Sequence, residues 1–556
     1  MIDTMHYDRY PIEASFDIGS RGCDRHMACR KNKGGVCMSK QNEQTTDDTS
    51  GAGQNLSSVD RRNLMKGVAA MAVIGAGIAD SGSVHASTAA HDMGVLDAVS
   101  AIRNGTITSE AYTAKLLQRA RDNTDLNAFI TIDDAAVLQA ARAADKDRAA
   151  GKTAPLLGVP LAVKDSYMTQ DLPTTFGTGV LNKFRPGQDA PVVKSIRDAG
   201  GVVFGKNNLV EMSYGLTGVN IHHGQPKNPY NKAHVTGGSS SGAGASVAAR
   251  LVPAALGGDT VGSIRVPASL CGVVGFKPTQ GRWSGDRVAP ISGTLDTTGV
   301  LARSVRDCAL IDAIVTKASI LAPTAQAGLK GIRLGYAPRQ HLNVIDADVE
   351  KLFRETLLKL KDAGAEIVEI DLGQDFSAIA ERATWGIFFH ETKPAISDFV
   401  KANNVPVTFE QIYEDLTPNI KGAWSTFVIP TGAKYIGEDA YQSFMKRDRP
   451  ELKRRYSEAF AKVDALIFPT TPCTAPRIDK QWEFSVAGKD MSYLVLAKNT
   501  FATNCADLPG ISIPMGLTAN RMPVGMEIDA GSGSDANLLE IARRVEAVIG
   551  SIPAPV

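Results

Sequence analysis

Five serines stand among glycines and alanines in "GGSSSGAGASVAARLVPAALGGDTVGSIR", residues 237–265, with Asp259 and Arg265 near its end. A serine hydroxyl attacks a carbonyl only when a base takes its proton, so each serine is judged by the base it could meet. Gly238-Ser239-Ser240-Ser241-Gly242 has the G-x-S-x-G spacing of a nucleophile elbow, which would make Ser240 the nucleophile and require a later acid and a histidine such as His341 or His390. An elbow follows an apolar strand, whereas the polar, turn-forming "NPYNKAHVT" precedes this one. The same run could cradle a phosphate in successive backbone N–H groups, but it ends in Gly-Ala-Gly rather than Gly-Lys-Ser/Thr. A flexible linker would not lead into the apolar "ASVAARLVPAALGG".

A second chemical group stands upstream, where "PLLGVPLAVKDSY" reads as a buried strand that delivers Lys164 to its end. A lysine acts as a base only when neutral, and its reference pKa of about 10.4 must fall by several units through burial before that is common near neutrality. The apolar "LLGVPLAV" before Lys164 suits such burial.

Lys164 in "GVPLAVKD", the Gly-Gly-Ser-Ser-Ser-Gly turn and Ser263 in "GGDTVGSIRVPASLCGVVGFKPT" together resemble the amidase signature family, from about residue 95 to "NCADLPGISIPMGLTANRMPVGMEI" near the end. The resemblance implies an α/β fold, with a central mixed β-sheet covered by helices on both faces and a helical insertion near the active site. It implies hydrolysis of a carboxylic amide with Ser263 as nucleophile, Ser239 as a cis-peptide relay and Lys164 as base. Backbone N–H groups of Thr260, Val261, Gly262 and Ser263 would surround the oxyanion. The family usually has glycine where this chain has Val261, so a narrowed acyl pocket, or a conflict with a positive-φ backbone, is expected there. Asp259 and Arg265 are expected to brace the loop through an ion pair. "GRWSGDRVAPISGTLDTTGVLARSVRDCALIDAIVT" is most similar to arylacetamide hydrolases of the indoleacetamide and mandelamide type, with peptide-amide or aliphatic-amide hydrolysis as the alternative. Further rivals are a silent binding protein and an amidotransferase subunit.

Around these residues, apolar spacing from Val95 to about Asp122 predicts two helices broken at Asn104-Gly105. "APVVKSIRDAGGVVFGK" predicts a helix, a glycine stop and a strand from Val202 to Phe204, and "DADVEKLFRETLLKLKDAGAEIVEIDL" repeats the pattern. Such alternation argues for a layered α/β domain. Residues 375–460 carry helical periodicity and aromatics, and read as an inserted helical cover on the substrate side, where Trp385, Phe388 and Phe389 could form an aromatic wall.

The 556 residues carry 60 basic and 59 acidic side chains, a balance that forecasts no nucleic-acid partner and points to a small-molecule amide. Arg61-Arg62 before the apolar run Gly67 to Ala79, with Val84-His85-Ala86 after it, read as a twin-arginine export signal over 38–86. That signal would make the export machinery a partner and the destination periplasmic or secreted. Residues 1–37 read as an extension before a start at Met38, and 87–556 as the amidase domain. The apolar run is too short for a stable membrane span. Cys23, Cys29 and Cys37 match no zinc template, no cofactor or metal is called for, and a homodimer is left open. Cys271, Cys308, Cys473 and Cys505 read as core thiols.

Overall fold

The computed structural model describes residues 89–319 and 328–555. The expected export signal, the boundaries at 37 and 86, and Cys23, Cys29 and Cys37 lie outside the described residues.

Eleven strands form one mixed sheet: β1 (Phe129–Thr131), β2 (Pro160–Lys164), β3 (Val202–Asn207), β4 (Ala254–Asp259), β5 (Val274–Lys277), β6 (Thr297–Ala302), β7 (Arg333–Tyr336), β8 (Glu366–Glu369), β9 (Ala465–Pro469), β10 (Gly510–Leu517) and β11 (Pro523–Asp529). Their lateral order is β1-β3-β2-β4-β6-β5-β10-β11-β9-β7-β8. β2 runs parallel to both neighbours, β3 and β4. From β4 through β6, β5, β10 and β11 to β9 the pairing is antiparallel. The far edge, β9-β7-β8, is parallel again.

All five residues of β2 are buried, which is why it reads as a continuous apolar run rather than an alternation. The helices Val95–Arg103 and Ser109–Asp122 flank the Asn104-Gly105 break, and the Thr108 hydroxyl caps the second by accepting from Ala111 N–H. Proline at the first turn of the helix Pro191–Asp198 and the left-handed Gly200 (φ +85°) bracket that element before β3. β3 runs three residues beyond the expected Phe204, to Asn207. The extension persists because its polar residues are paired: Lys206 with Asp165 at 2.9 Å, and Asn207 with the Ala128 carbonyl and Ser246 Oγ.

Residues 375–460 fold mainly as helices, Phe376–Ala402, Phe409–Asp415, Pro418–Phe427, Glu438–Ser443 and Arg449–Phe460. Two carboxylates, the buried Glu211 and the partly exposed Asp415, tie them to the sheet domain. Glu211 accepts from Thr417 N–H and from Ile221 N–H, and Asp415 accepts from the amides of Gly179 and Val180. The four cysteines of the described residues are buried and free. No described helix is long and apolar enough to cross a membrane.

Candidate active site

Lys164 is the last residue of β2 and is 1% exposed. The chain turns immediately after it, and the buried Lys206–Asp165 pair fixes that turn, with Lys206 Nζ also donating to the Tyr167 carbonyl at 2.8 Å. Burial pushes Lys164 down to about 7, against the opposing pull of the Asp259 and Asp296 carboxylates. Lys164 Nζ lies 2.8 Å from Ser239 Oγ, in a hydrogen bond that spans 75 residues of sequence.

Ser239 follows a cis Gly238–Ser239 peptide, and its carbonyl accepts from Val210 N–H. Ser240 serves as a bridge: its N–H donates to the Ser263 carbonyl at 3.2 Å, and its hydroxyl donates to the Gly258 carbonyl at 3.2 Å. The partners of a nucleophile elbow at Ser240 are engaged elsewhere. His341 stacks on Phe468 with centroids 4.0 Å apart, and His390 bonds the Ile436 carbonyl. Ser241 opens the helix Ser241–Ala248. At Gly242 an added Cβ would run into the Ala128 carbonyl and the Asn208 backbone, so only glycine lets this helix approach β3.

Beyond β4, the loop that carries Ser263 is folded around one carboxylate. Asp259 Oδ1 accepts from Gly262 N–H at 2.8 Å and Asp259 Oδ2 from Ile264 N–H at 3.0 Å, while the Arg265 guanidinium bonds both oxygens. Burial alone would raise the Asp259 carboxyl, but Arg265 overrides it and holds the group at about 2. Arg265 extends the brace to Glu527 (2.9 Å), the Thr500 carbonyl (2.9 Å) and Asn504 Oδ1 (2.6 Å). Thr500 Oγ1 donates in turn to the Val261 carbonyl at 2.6 Å.

Of the four amides that the resemblance sets around an oxyanion, that of Gly262 is thus occupied by Asp259. Those of Thr260, Val261 and Ser263 have no acceptor among the described residues. The positive-φ demand falls on Gly262, at +135°, and not on Val261, so the valine causes no backbone conflict. Ser263 is 3% exposed, and its hydroxyl makes no hydrogen bond among the described residues.

Lys164, Ser239 and Thr260 line a cavity of about 250 Å³, whereas Val261, Gly262 and Ser263 are not in its wall. Two acidic residues that the sequence reading did not single out organise that wall. Asp296 accepts from Thr260 Oγ1 (2.7 Å) and from the amides of Ile291 (2.7 Å) and Ser292 (3.1 Å), and burial pushes it up to about 6 despite those bonds. Glu391 receives Ser292 Oγ, Thr294 N–H (2.9 Å), Thr294 Oγ1 (2.6 Å) and Tyr441 O–H (2.6 Å), which pins the cavity loop to the helix Phe376–Ala402. The run of hydrogen-bonding residues in "ISGTLDTT" was the available signal for Asp296. Nothing local marks Glu391, whose partners lie 97 to 99 residues earlier and 50 later. Trp385, Phe388 and Phe389 are in mutual ring contact, with Tyr214 against Phe388 and Phe501 against Trp385, outside the cavity wall. Among the described residues no cluster of His, Cys, Asp or Glu is arranged to hold a metal.

Residues 111–539 match the Amidase family. The chain is 35% identical over 480 residues to a mandelamide hydrolase of Pseudomonas putida, covering 84% of this chain and 93% of that protein. It is 30% identical to an indoleacetamide hydrolase of Allorhizobium ampelinum (81% and 96% covered) and 34% identical to a glutamyl-tRNA(Gln) amidotransferase subunit of Chromohalobacter salexigens (82% and 96%). Among solved structures, the native peptide amidase from Stenotrophomonas maltophilia superposes with a TM-score of 0.71 at 29% identity, covering 84% of this chain and 98% of that one. With a mixed sheet of the expected class and a family match across most of its length, the chain belongs to the amidase signature family and is a hydrolase acting on amides.

Proposed function

We propose that the protein hydrolyses a primary arylacetamide to acid and ammonia, with Ser263 as nucleophile, Ser239 as relay and Lys164 as base. The observation that carries this reading is the buried hydrogen bond of Lys164 Nζ to Ser239 Oγ at 2.8 Å, on a lysine that burial pushes down to about 7. At neutral pH such a lysine is about half unprotonated, which is what a general base requires. Neutral Lys164 takes the Ser239 proton while Ser239 takes that of Ser263. Ser263 Oγ then bonds the amide carbon and the C–N bond breaks, the departing nitrogen recovering the relayed proton. Water repeats the sequence on the acyl-enzyme and restores the Ser263 hydroxyl. Amides of Thr260, Val261 and Ser263 without acceptors are the donors available to the oxyanion.

The aryl character of the substrate rests on the mandelamide and indoleacetamide hydrolases among the relatives. Similarity to an amidotransferase subunit supports a second reading, in which ammonia is handed to a partner chain. One assay separates the two: ammonia release by the isolated protein from mandelamide, indoleacetamide, phenylacetamide, short aliphatic amides and peptide amides. Turnover of the aryl amides, lost in Ser263→Ala, is expected. Turnover confined to aliphatic or peptide amides would overturn the aryl reading, and silence on every amide without a partner chain would favour the amidotransferase role.

A further inference from the structure

Ser292 stands between two acids. Its N–H donates to Asp296 Oδ2 at 3.1 Å, and its hydroxyl, whose oxygen already accepts from Leu295 N–H at 3.1 Å, donates to Glu391 Oε2. The two acids stand in different relations to the base. Asp296 lines the cavity beside Lys164, and it and Asp259 are the carboxylates whose charge acts on that lysine. Glu391 is outside the cavity wall, on the helix Phe376–Ala402, 99 residues beyond Ser292. Its other donors are Thr294 N–H (2.9 Å), Thr294 Oγ1 (2.6 Å) and Tyr441 O–H (2.6 Å), so its charge is met by hydroxyls and an amide, and by no Lys, Arg or His among the described residues. The adjacent His390 is engaged elsewhere, with its ring stacked on Tyr441 at 4.1 Å and its Nε2 facing Glu438 at 3.4 Å. Asp296 receives Thr260 Oγ1 and the amides of Ile291 and Ser292. Burial, with the charge of Glu391 added to it, pushes Asp296 up to about 6 against those bonds.

We propose that Glu391 is a positioning residue for the catalytic base: acting through Ser292 on Asp296, it sets the negative charge that Lys164 faces and couples the base to the helical segment 375–460. The inference rests on the reading of Lys164 as base and deepens it. Two carboxylates that share one serine disfavour each other's charge, and Asp296 is the one that takes up the proton as pH falls. Once Asp296 is neutral, its pull on the lysine is gone and more Lys164 stays unprotonated, so the acid side of the rate profile is shallower than a lone lysine would give. With Glu391 uncharged, Asp296 stays ionised to lower pH, Lys164 holds its proton more firmly, and the acid side steepens.

The test reads the ratio of kcat/KM at pH 7 to that at pH 5, on phenylacetamide or on whichever uncharged amide the wild type turns over. Glu391→Gln is expected to raise this ratio by about threefold, the size of effect a nearby charge exerts on a partly buried group. Glu391→Asp keeps the charge and should keep the wild-type ratio even where its plateau rate falls. In an Asp296→Asn background, Glu391→Gln should leave the ratio unchanged, because the acid through which it acts is gone. Should Glu391→Gln not fold, Ser292→Ala deletes only the hydroxyl between the two acids; Asp296 then feels more of the Glu391 charge, and the ratio should drop below wild type. A lower or unchanged ratio in folded Glu391→Gln, an equal rise in the Asp296→Asn background, or a higher or unchanged ratio in Ser292→Ala would overturn the proposal while leaving Lys164 as base. A flat wild-type profile, or a midpoint that Asp296→Asn does not lower, would instead remove Lys164 as the titrating base, and the proposal with it.

Discussion

The pH dependence of kcat/KM on an amide that does not ionise, such as phenylacetamide, is set in this scheme by Lys164. At an ordinary lysine pKa near 10.5, about one molecule in three thousand would carry the neutral amine at pH 7, whereas at about 7 half of them do. Activity should therefore rise through a midpoint near 7 and level off above about pH 8. It should fall by at most about fifty-fold from pH 7 to pH 5, as the neutral fraction drops from a half towards one in a hundred, and by less as Asp296, pushed up to about 6, is protonated and its pull on the lysine is lost. Asp296→Asn adds a signed test. The Asp259 and Asp296 carboxylates both favour the charged lysine, so removing the second moves the midpoint to lower pH. The variant also disturbs Thr260, whose hydroxyl Asp296 holds, so its plateau rate will fall, but a merely structural defect would leave the midpoint in place. Circular dichroism at each pH separates titration from unfolding. A flat profile between pH 5 and 8 on folded protein, or a midpoint that stays put or rises in Asp296→Asn, would refute Lys164 as the titrating base.

Arg265→Met should destabilise the protein by about 3–5 kcal/mol in denaturant unfolding, because it strands the buried Asp259 carboxylate; a loss below about 1 kcal/mol would mean that the brace is not structural. Gly262→Ala should abolish most amidase activity, since φ of +135° disfavours a side chain and the new methyl would meet Thr500 Oγ1 and Val266, and near-wild-type kcat would contradict this. Arg61→Lys with Arg62→Lys in the full chain should leave the enzyme in the cytoplasmic fraction of a host with twin-arginine export, and an unchanged distribution on fractionation would dispose of the export reading.

The parts legible in sequence are those whose signal is local. β2 announces itself as an apolar run ending in a lysine, because a strand buried on both faces has no solvent face to mark by alternation. The serine turn is legible because glycine density at Gly237, Gly238 and Gly242 reports how closely other backbones approach. What joins these pieces is not local. Arg265 finds Glu527 across 262 residues and Thr500 across 235, and Glu391 finds Ser292 across 99, so no spacing rule reaches them.

Val261 shows how such distant contacts change the meaning of a local departure. Taken alone, a β-branched residue in a glycine loop suggests a backbone conflict. In the folded loop Asp259 holds the Gly262 amide, Thr500 holds the Val261 carbonyl, and the left-handed conformation is confined to Gly262. The valine's effect is then steric rather than conformational. The cavity beside Lys164 is shaped separately, by the loop that Asp296 and Glu391 pin. The two structures meet at Thr260, which adjoins Val261 in the loop and whose hydroxyl is held by Asp296 in the cavity wall. Val261→Gly should accordingly change the relative kcat/KM among amides of different bulk while leaving the pH midpoint set by Lys164 in place, and an unchanged ranking across a panel of aryl and aliphatic amides would refute a steric role for the valine.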